Sequence, residues 1–532
     1  MAMEYTEEQL NNFDKATLVQ LFLVQQSQLK DIDQKLQLLL EQVAVLNNNR
    51  FGRSSEKLED SNQIRFMEVD GEIIYFNEAE AVASLSDYEE DEEPPKARGK
   101  KSKGRRMMDI QNLPVVPVEH KMTEEQLIEE FGEDGWYQLE DEIINRYRFT
   151  PMKVEIEEHH VGVYKSKKDN RFIKASHPGY LLRNSLVSPS LLAGIWNAKY
   201  VNAVPLYRQE QEFKRMGTGI DRADMAHWTI LCAERYLSIL YDYLHERIYD
   251  YHVLQADETP VRVTKENRTE GSKHYMWVYR TGKCYSDKPI VLYEYQPGRN
   301  ASHPREFLKE FNGICVTDGY QVYHTIEKER EDLKIAGCWA HARRRFDEAV
   351  KALPKAKQKD SLAYLALKQI QAIYREDSRL ADMNPQERLK HRQVTVKPLV
   401  DAYFAWVKQN LTKVTPKSKT ANGFTYAINQ EEYLRVFLED GDVPLDNNSA
   451  EQAIRPFCVG KKNWVMIDTI AGANASAIIY SIAETAKANN LKPYNYFEYL
   501  LTEIPKHMDD HDMSFCEDLL PWSEKLPSEC RK

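Results

Sequence analysis

No stretch of this 532-residue chain approaches the run of about 20 apolar residues that a membrane-spanning helix needs, which excludes a helical integral membrane protein. The opening residues, MAMEYTEEQL, have neither a basic segment nor an apolar core, so no export signal is expected and the expected location is the cytoplasm. Cysteine is sparse: Cys232, Cys284, Cys315, Cys338, Cys458, Cys516 and Cys530 are scattered, with no CxxC pair. That distribution predicts reduced thiols and supports neither a disulfide scaffold nor a zinc ribbon. Net basicity is also missing. A formal charge of −11 excludes a uniformly basic nucleic-acid binder, but binding depends on local phosphate contacts, so basic patches still count.

What is present is ordinary for a soluble protein, with 42% hydrophobic and 29% charged residues, and the length predicts about three or four compact units. From Leu18 to Leu46 the apolar residues follow a heptad. Phe22, Leu29, Leu36 and Val43 hold one position; Leu18, Ile32, Leu39 and Leu46 hold the other, with Gln25 as the polar intruder. Residues 1–50 are therefore expected to form a coiled-coil helix that makes a homo-oligomer through residues 18–46, the other reading being a helix packed on the body. Residues 51–110 read as a linker. It carries FGRSSEK, a hairpin across IRFMEVDGEIIYF, the acidic run DYEEDEE and the basic run KARGKKSKGRR. Arg53, Lys100, Lys101, Arg105 and Arg106 are its candidate phosphate contacts, against the plainer reading of a solvated tether.

Residues 111–185 alternate like strands and are expected to form a small β-rich domain; its adjacent His159 and His160 would point to opposite faces, so they are read as surface or packing residues. Residues 186–248 turn helical. In YRQEQEFKRMGTGIDRADMAHWTI a first helix would end at Gly217, Ile220 would fill the core, and Asp221 would cap a second helix bearing Arg222 and His227. This helix-turn-helix rhythm is compatible with DNA reading and with a plain helical connector.

From residue 249 strands return in the order strand, strand, strand, helix, strand, helix, strand, the order of a ribonuclease H-like fold. The predicted architecture is thus multidomain α+β: coiled coil, helix-turn-helix-like region, and an α/β catalytic core at 249–345 and 439–505. A helical insertion at 346–438 interrupts the core, and 506–532 is a tail. Asp257 in LQADETPV and Asp318 in ICVTDGYQVYH end two strand-like runs, and Glu451 in PLDNNSAEQAIRP opens a helix. Neighbouring first and fourth strands would bring the aspartates together. Carboxylates about 4 Å apart repel by about 4 kcal/mol per pair at an effective dielectric near 20, so such a trio needs cations, and all-oxygen ligands select Mg²⁺ or Mn²⁺. Asp257, Asp318 and Glu451 are accordingly the candidate catalytic and metal-binding residues for a pair of ions acting on phosphodiesters.

FGRSSEK, VPLYRQEQEF, ADETPV, TDGY, GCWAHARRRFDEA, PLDNNSAEQAIRPFCVGKKNW, YSIAETAKANNLKPYNYFEYLL and LLPW occur in that order, and through them the chain resembles the transposases of the insertion sequence 66 family over nearly its full length. The resemblance implies a DDE transposase that binds inverted-repeat ends and target DNA, frees the 3′ ends by hydrolysis and joins them to the target. Its acidic triad maps onto Asp257, Asp318 and Glu451. It also implies association with the nucleoid when DNA is bound, and small accessory proteins of the element as possible partners. Two departures stand out: residues 107–185 contain no cysteine, so the family's common zinc ribbon is not expected, and Gln452 stands where arginine is usual. Further candidate DNA contacts are His341, Arg343 and Arg344 after the last strand, with neighbouring Arg345, and Arg455, Lys461, Lys462 and Trp464 after the glutamate. Glu451 and Arg455, four apart on a helix, could also simply pair. The competing functional readings are a catalytically silent DNA-binding regulator derived from a transposase and a coiled-coil scaffold with a structural acidic body.

Overall fold

The structure, a computed structural model, describes residues 15, 18–20, 22–26, 66–69, 72–75, 117, 121–132, 152–165, 167, 172–176, 179–183, 185–265 and 273–532. Two compact units emerge, Arg53–Glu155 and the rest of the chain. The smaller holds an antiparallel pair, β1 (Phe66–Val69) and β2 (Glu72–Tyr75), flanking Asp70-Gly71 as expected for that hairpin. Its helix α1 (Glu124–Phe131) starts at a capping box, in which the Thr123 hydroxyl accepts from the Gln126 N–H at 3.4 Å and the Gln126 side chain accepts from the Thr123 N–H at 3.0 Å.

In the larger unit, residues 18–20 and 22–26 are helical and exposed; the remainder of the heptad lies outside the described residues. Strands β3 (Val163–Lys165) and β4 (Phe172–Lys174) form a short hairpin. The longer strand expected through MKVEIEEHHVGVY forms only at its end, because residues 152–160 have no partner ladder among the described residues. His159 and His160 are surface residues beside Glu157 and Glu158.

Helix α2 (Pro189–Trp196), capped by Ser188, runs into a wide π turn at Asn197–Val201. The helix-turn-helix rhythm becomes α3 (Leu206–Arg215) and α4 (Arg222–Cys232), and α5 (Ser238–Ile248) follows. Gly217 takes φ +83° in the turn, and the Asp221 carboxylate accepts from the N–H groups of Ala223 and Asp224, both at 2.8 Å. Ile220 is only half-buried, contrary to expectation. Phe213, Met225 and Trp228 fill that place, and Trp196 donates its indole N–H to Thr229 at 3.1 Å.

The central sheet comprises β5 (Val253–Val261), β6 (His274–Thr281), β7 (Val291–Gln296), β8 (Gly313–Thr317) and β9 (Leu333–Gly337), in spatial order β7-β6-β5-β8-β9. The first three are antiparallel and the last two run parallel to β5, with α6 (Ser302–Phe307) and α7 (Gln321–Glu327) as the crossovers. Near-continuous apolar strands fit a sheet covered on both faces. Helix α8 (Trp339–Lys351) leaves β9 and crosses the expected start of the insertion without a break. It packs with α9 (Leu362–Ser378), α10 (Lys397–Asn410) and α11 (Lys419–Asn429) in one core that also holds Val253, Ile314, Val316 and Ala336 of the sheet. The insertion is therefore a layer of the domain. Trp339, fully buried, anchors it by donating to the Leu434 carbonyl at 2.8 Å.

Helix α12 (Asn448–Trp464) lies along β5 and β6, and α13 (Ile470–Ala488) covers β7. On the covered strand, the Ser481 and Thr485 hydroxyls accept from the Tyr293 and Val291 N–H groups at 2.7 and 3.0 Å, capping edge groups that would otherwise be open to another strand. Residues 506–532, expected as a tail, fold back on α14 (Pro493–Glu503). The Tyr496 hydroxyl donates to the Leu519 carbonyl, Leu491 bridges to Arg531, and Cys516, Leu519, Leu520 and Leu526 are buried. All seven cysteines are free, and no helix among the described residues is long and apolar enough to cross a membrane.

Candidate active site

The β5–β8 ladder runs Val253↔Ile314, Leu254↔Cys315, Gln255↔Val316. Carried two residues further, this register sets Asp257 beside Asp318, on strands about 4.8 Å apart. Asp257 does not end its strand as the sequence suggested. Pairing with β8 stops at Gln255, but β6 keeps β5 extended as far as Val261, so Asp257 sits in mid-strand at the point where one neighbour has left. Asp318, just past β8, accepts from the Tyr320 N–H at 2.9 Å across a turn in which Gly319 has φ +87°. A side chain at Gly319 would also meet the ends of the Gln430 and Tyr426 side chains, each 2.9 Å from the added carbon, which would have to shift; the positive φ is what favours glycine in TDGY.

Glu451 arrives from the first turn of α12, and Asn447 fixes where that turn lies. Fully buried, Asn447 donates from its amide to the Ala256 carbonyl at 2.7 Å, accepts from the Gln255 amide at 3.2 Å, and donates its backbone N–H to Cys338 Sγ at 3.1 Å. The start of α12 is thereby bonded to the residue next to Asp257. Glu451 does not pair with Arg455; Arg344 Nη2 donates to its two oxygens at 3.0 and 3.2 Å, and His341 Nδ1 lies 3.6 Å away.

Electrostatics express the crowding. Burial, then the charges of Glu258 and Asp318 and more weakly of Glu451, push the Asp257 carboxyl well above the usual range, although the Glu258 N–H donating at 2.8 Å opposes this. Glu258 is pushed up to about 7 by burial and Asp318, with Arg299 pulling it back. Burial and the Arg344 charge lower His341, while Glu451 and Asp318 raise it.

Several contributors escaped the sequence reading. Glu258 is buried and holds Arg299, whose Nε donates at 2.7 Å; Arg299 lies flat on Tyr320, 3.7 Å from the ring centre, with Nη2 3.8 Å from Asp318. From the insertion, the Tyr426 hydroxyl donates to the Asp318 carbonyl at 3.0 Å. Glu258, Tyr320, Gln255 and Asn447 stand inside the stretches ADETPV, TDGY, LQADETPV and PLDNNSAEQAIRP, so their motifs carried a signal; nothing local marks Arg299 or Tyr426 as neighbours of the acids.

Of the candidate DNA contacts, Arg53, Lys100, Lys101, Arg105 and Arg106 lie outside the described residues. Arg343, Arg344 and Arg345 are exposed on α8 near Glu451, and Arg455 is exposed on α12 one turn beyond it. Lys462 is exposed further along α12, but the Lys461 ammonium is tied to β5, donating to Pro260 at 2.7 Å and Thr259 at 3.2 Å. Arg222 and half-buried Trp464 line a different cleft of about 750 Å³ together with Lys199, Tyr207 and Arg208. That cleft is at the opposite end of α12, about 20 Å from Glu451 at 1.5 Å per residue. Trp339 is core.

Residues 184–475 match the family described as Transposase IS66 family, 481–522 match the IS66 C-terminal element, and 38–118 match the region described as Transposase C of IS166 homeodomain. The first match spans more than half of the chain, and the protein belongs to the IS66 transposase family. Relatives come from Sinorhizobium fredii (strain NBRC 101917 / NGR234). The uncharacterized protein y4qI is 28% identical over 515 residues, covering 93% of this chain and 90% of the relative. The uncharacterized protein y4jD is 26% identical over 369 residues, covering 67% and 70% respectively.

Proposed function

We propose that this protein is an active DNA transposase that binds the inverted-repeat ends of its element and carries out strand cleavage and transfer with a DDE triad of Asp257, Asp318 and Glu451 on a ribonuclease H-like core. The observation that carries this reading is the convergence described above, the β5–β8 register together with the Asn447 clamp. The donor set fits a pair of hard divalent cations: three carboxylates, of which Asp257 is disfavoured as an anion without a cation beside it, and a buried Glu258 Oε2 with no hydrogen-bond partner. When bound, Mg²⁺ or Mn²⁺ would activate the attacking water or 3′-hydroxyl and stabilise the leaving oxygen.

The protein's residues divide the remaining work. Asp257, in mid-strand beside Asp318, and Glu451 on the first turn of α12 would hold the ions. Arg344, now on Glu451, and exposed Arg343 are suited to hold phosphate oxygens of the strand being cut. Arg222 and His227, exposed on α4, are suited to the duplex. Self-association through residues 18–46 would bring two ends together. Full-length protein with inverted-repeat duplex and Mg²⁺ tests the reading. Asp257→Asn, Asp318→Asn and Glu451→Gln should bind normally yet cleave at least about 10²–10³-fold more slowly. Cleavage by any of the three at the wild-type rate would sink the triad, and a wild type that binds without cleaving would identify a silent regulator.

A further inference from the structure

We propose that Cys338, His341 and Glu451 form a second cation site, overlapping the acidic triad at Glu451 and selective for a thiophilic divalent ion, Zn²⁺ above all. One sulfur, one ring nitrogen and one carboxylate oxygen from these residues all lie within 4.8 Å of one another, and His341 Nδ1 is 3.6 Å from Glu451 Oε1. Tetrahedral zinc with such ligands sets donor separations of about 3.3–3.7 Å, so a small inward shift closes the site. The placement follows from the fold. Cys338 precedes the first turn of α8 and His341 follows three residues later on the same face, while Glu451 approaches from α12, whose start is bonded to Cys338 through Asn447.

Two further observations point to a ligand. His341 Nδ1 is buried without a hydrogen-bond partner. The sulfur already accepts a backbone N–H and sits at the N-terminus of a 13-residue helix, both of which partly oppose the burial that keeps it a thiol and would favour a metal-bound sulfur. A sulfur–nitrogen–oxygen set is softer than the all-oxygen triad beside it and prefers zinc to magnesium. Burial holds the Cys338 thiol up to about 12, so the S–H proton leaves to solvent as the sulfur–metal bond forms, one proton per ion. Arg344 competes for the same ligands. Its Nη2 binds Glu451 and its Nη1 lies 3.3 Å from His341 Nε2, but the side chain is half-exposed and free to withdraw. An ion held here would take Glu451 from the triad, so zinc would inhibit cleavage. That consequence rests on the triad reading, whereas the binding does not.

Cobalt titration of the zinc-free full-length protein tests the site. Wild type should bind one Co²⁺ per chain with a thiolate-to-metal charge-transfer band, and added Zn²⁺ should abolish the band. Cys338→Ser should lose the band, His341→Ala should weaken binding by at least about tenfold, and Arg344→Ala should tighten it several-fold. Absence of the band in wild type, or its persistence in Cys338→Ser, overturns the proposal. Should Cys338→Ser fold poorly by circular dichroism, unchanged affinity in His341→Ala overturns it equally. A normal cobalt spectrum in a protein that never cleaves DNA would refute the triad and leave this site standing.

Discussion

Asn447 joins three parts of the site at once: the strand carrying Asp257, the buried sulfur of Cys338 and the helix that presents Glu451. Replacing it with alanine orphans the Ala256 carbonyl and removes one of the two acceptors of the Gln255 amide, which keeps the Asp446 carbonyl at 3.2 Å, at about 1–3 kcal/mol for each lost partner. Asn447→Ala is therefore expected to lower stability by about 2–4 kcal/mol in chemical denaturation and to slow cleavage while leaving DNA affinity unchanged. Unaltered cleavage would mean that α12 is held elsewhere. Acidity supplies a second residue-scale prediction. Glu258 and Glu294 are each raised from 4.5 to about 7, the first by burial and Asp318, the second by burial and Glu306, and Asp257 is raised as well. A carboxyl raised in the folded state contributes its stability fully below its ordinary value and loses it as pH climbs through the folded value. Without divalent ions, Tm should fall as pH rises from about 4.5 to beyond about 7. Mg²⁺ should restore the part due to Asp257 and Glu258 in wild type and in Glu294→Gln, but not in Asp257→Asn; thermal scans across pH check both arms. The three acids could be picked out in the sequence because each stands at a recognisable local pattern, although Asp257 stands in mid-strand and not at the strand's end. The roles of Arg299 and Tyr426 could not, and Asn447, although inside the PLDNNSAEQAIRP motif, gave no sign of its partner: the bonds of Tyr426 and Asn447 reach residues 108 and 191 positions away, which no local pattern encodes.

At the scale of elements, the order of strands and helices from β5 to β9 was legible, since β-branched and apolar runs alternate with helical spacing there. The antiparallel-then-parallel sheet then places the first and fourth strands side by side. What was not legible was the standing of the insertion. Its helices look amphipathic, and the sequence cannot say which surface their apolar faces meet; in the structure they share one core with α8 and the sheet, centred on Trp339. Trp339→Ala should cost about 3–5 kcal/mol, and its chevron or equilibrium denaturation should show the insertion and the sheet unfolding together. Separate transitions would show that the insertion is an independent domain. The strand expected across residues 152–164 forms only at its end for the complementary reason: alternation alone does not make a strand where no ladder partner is at hand among the described residues.

At the scale of the whole molecule, the proposed function requires a chain with a net charge of −11 to concentrate its cations where DNA would lie. Exposed Arg344 on α8 binds Glu451, with Arg343 and Arg345 next to it in sequence and exposed Arg455 one turn beyond Glu451 on α12, and Arg222, Arg208 and Lys199 line the distant cleft. Binding should weaken with salt by a log–log slope of about 0.9 per phosphate neutralised, and charge removal at Arg222 should reduce that slope by about 1 without affecting cleavage of bound ends. A flat salt response would remove DNA electrostatics from the account. The central claim concerns the acids themselves, and crystals of the full-length protein soaked in Mn²⁺ would test it most directly through the anomalous signal of the metal. The account predicts density between Asp257 and Asp318, with Glu451 in contact, that vanishes in Asp257→Asn. An ordered site whose three carboxylates bind no manganese would contradict it.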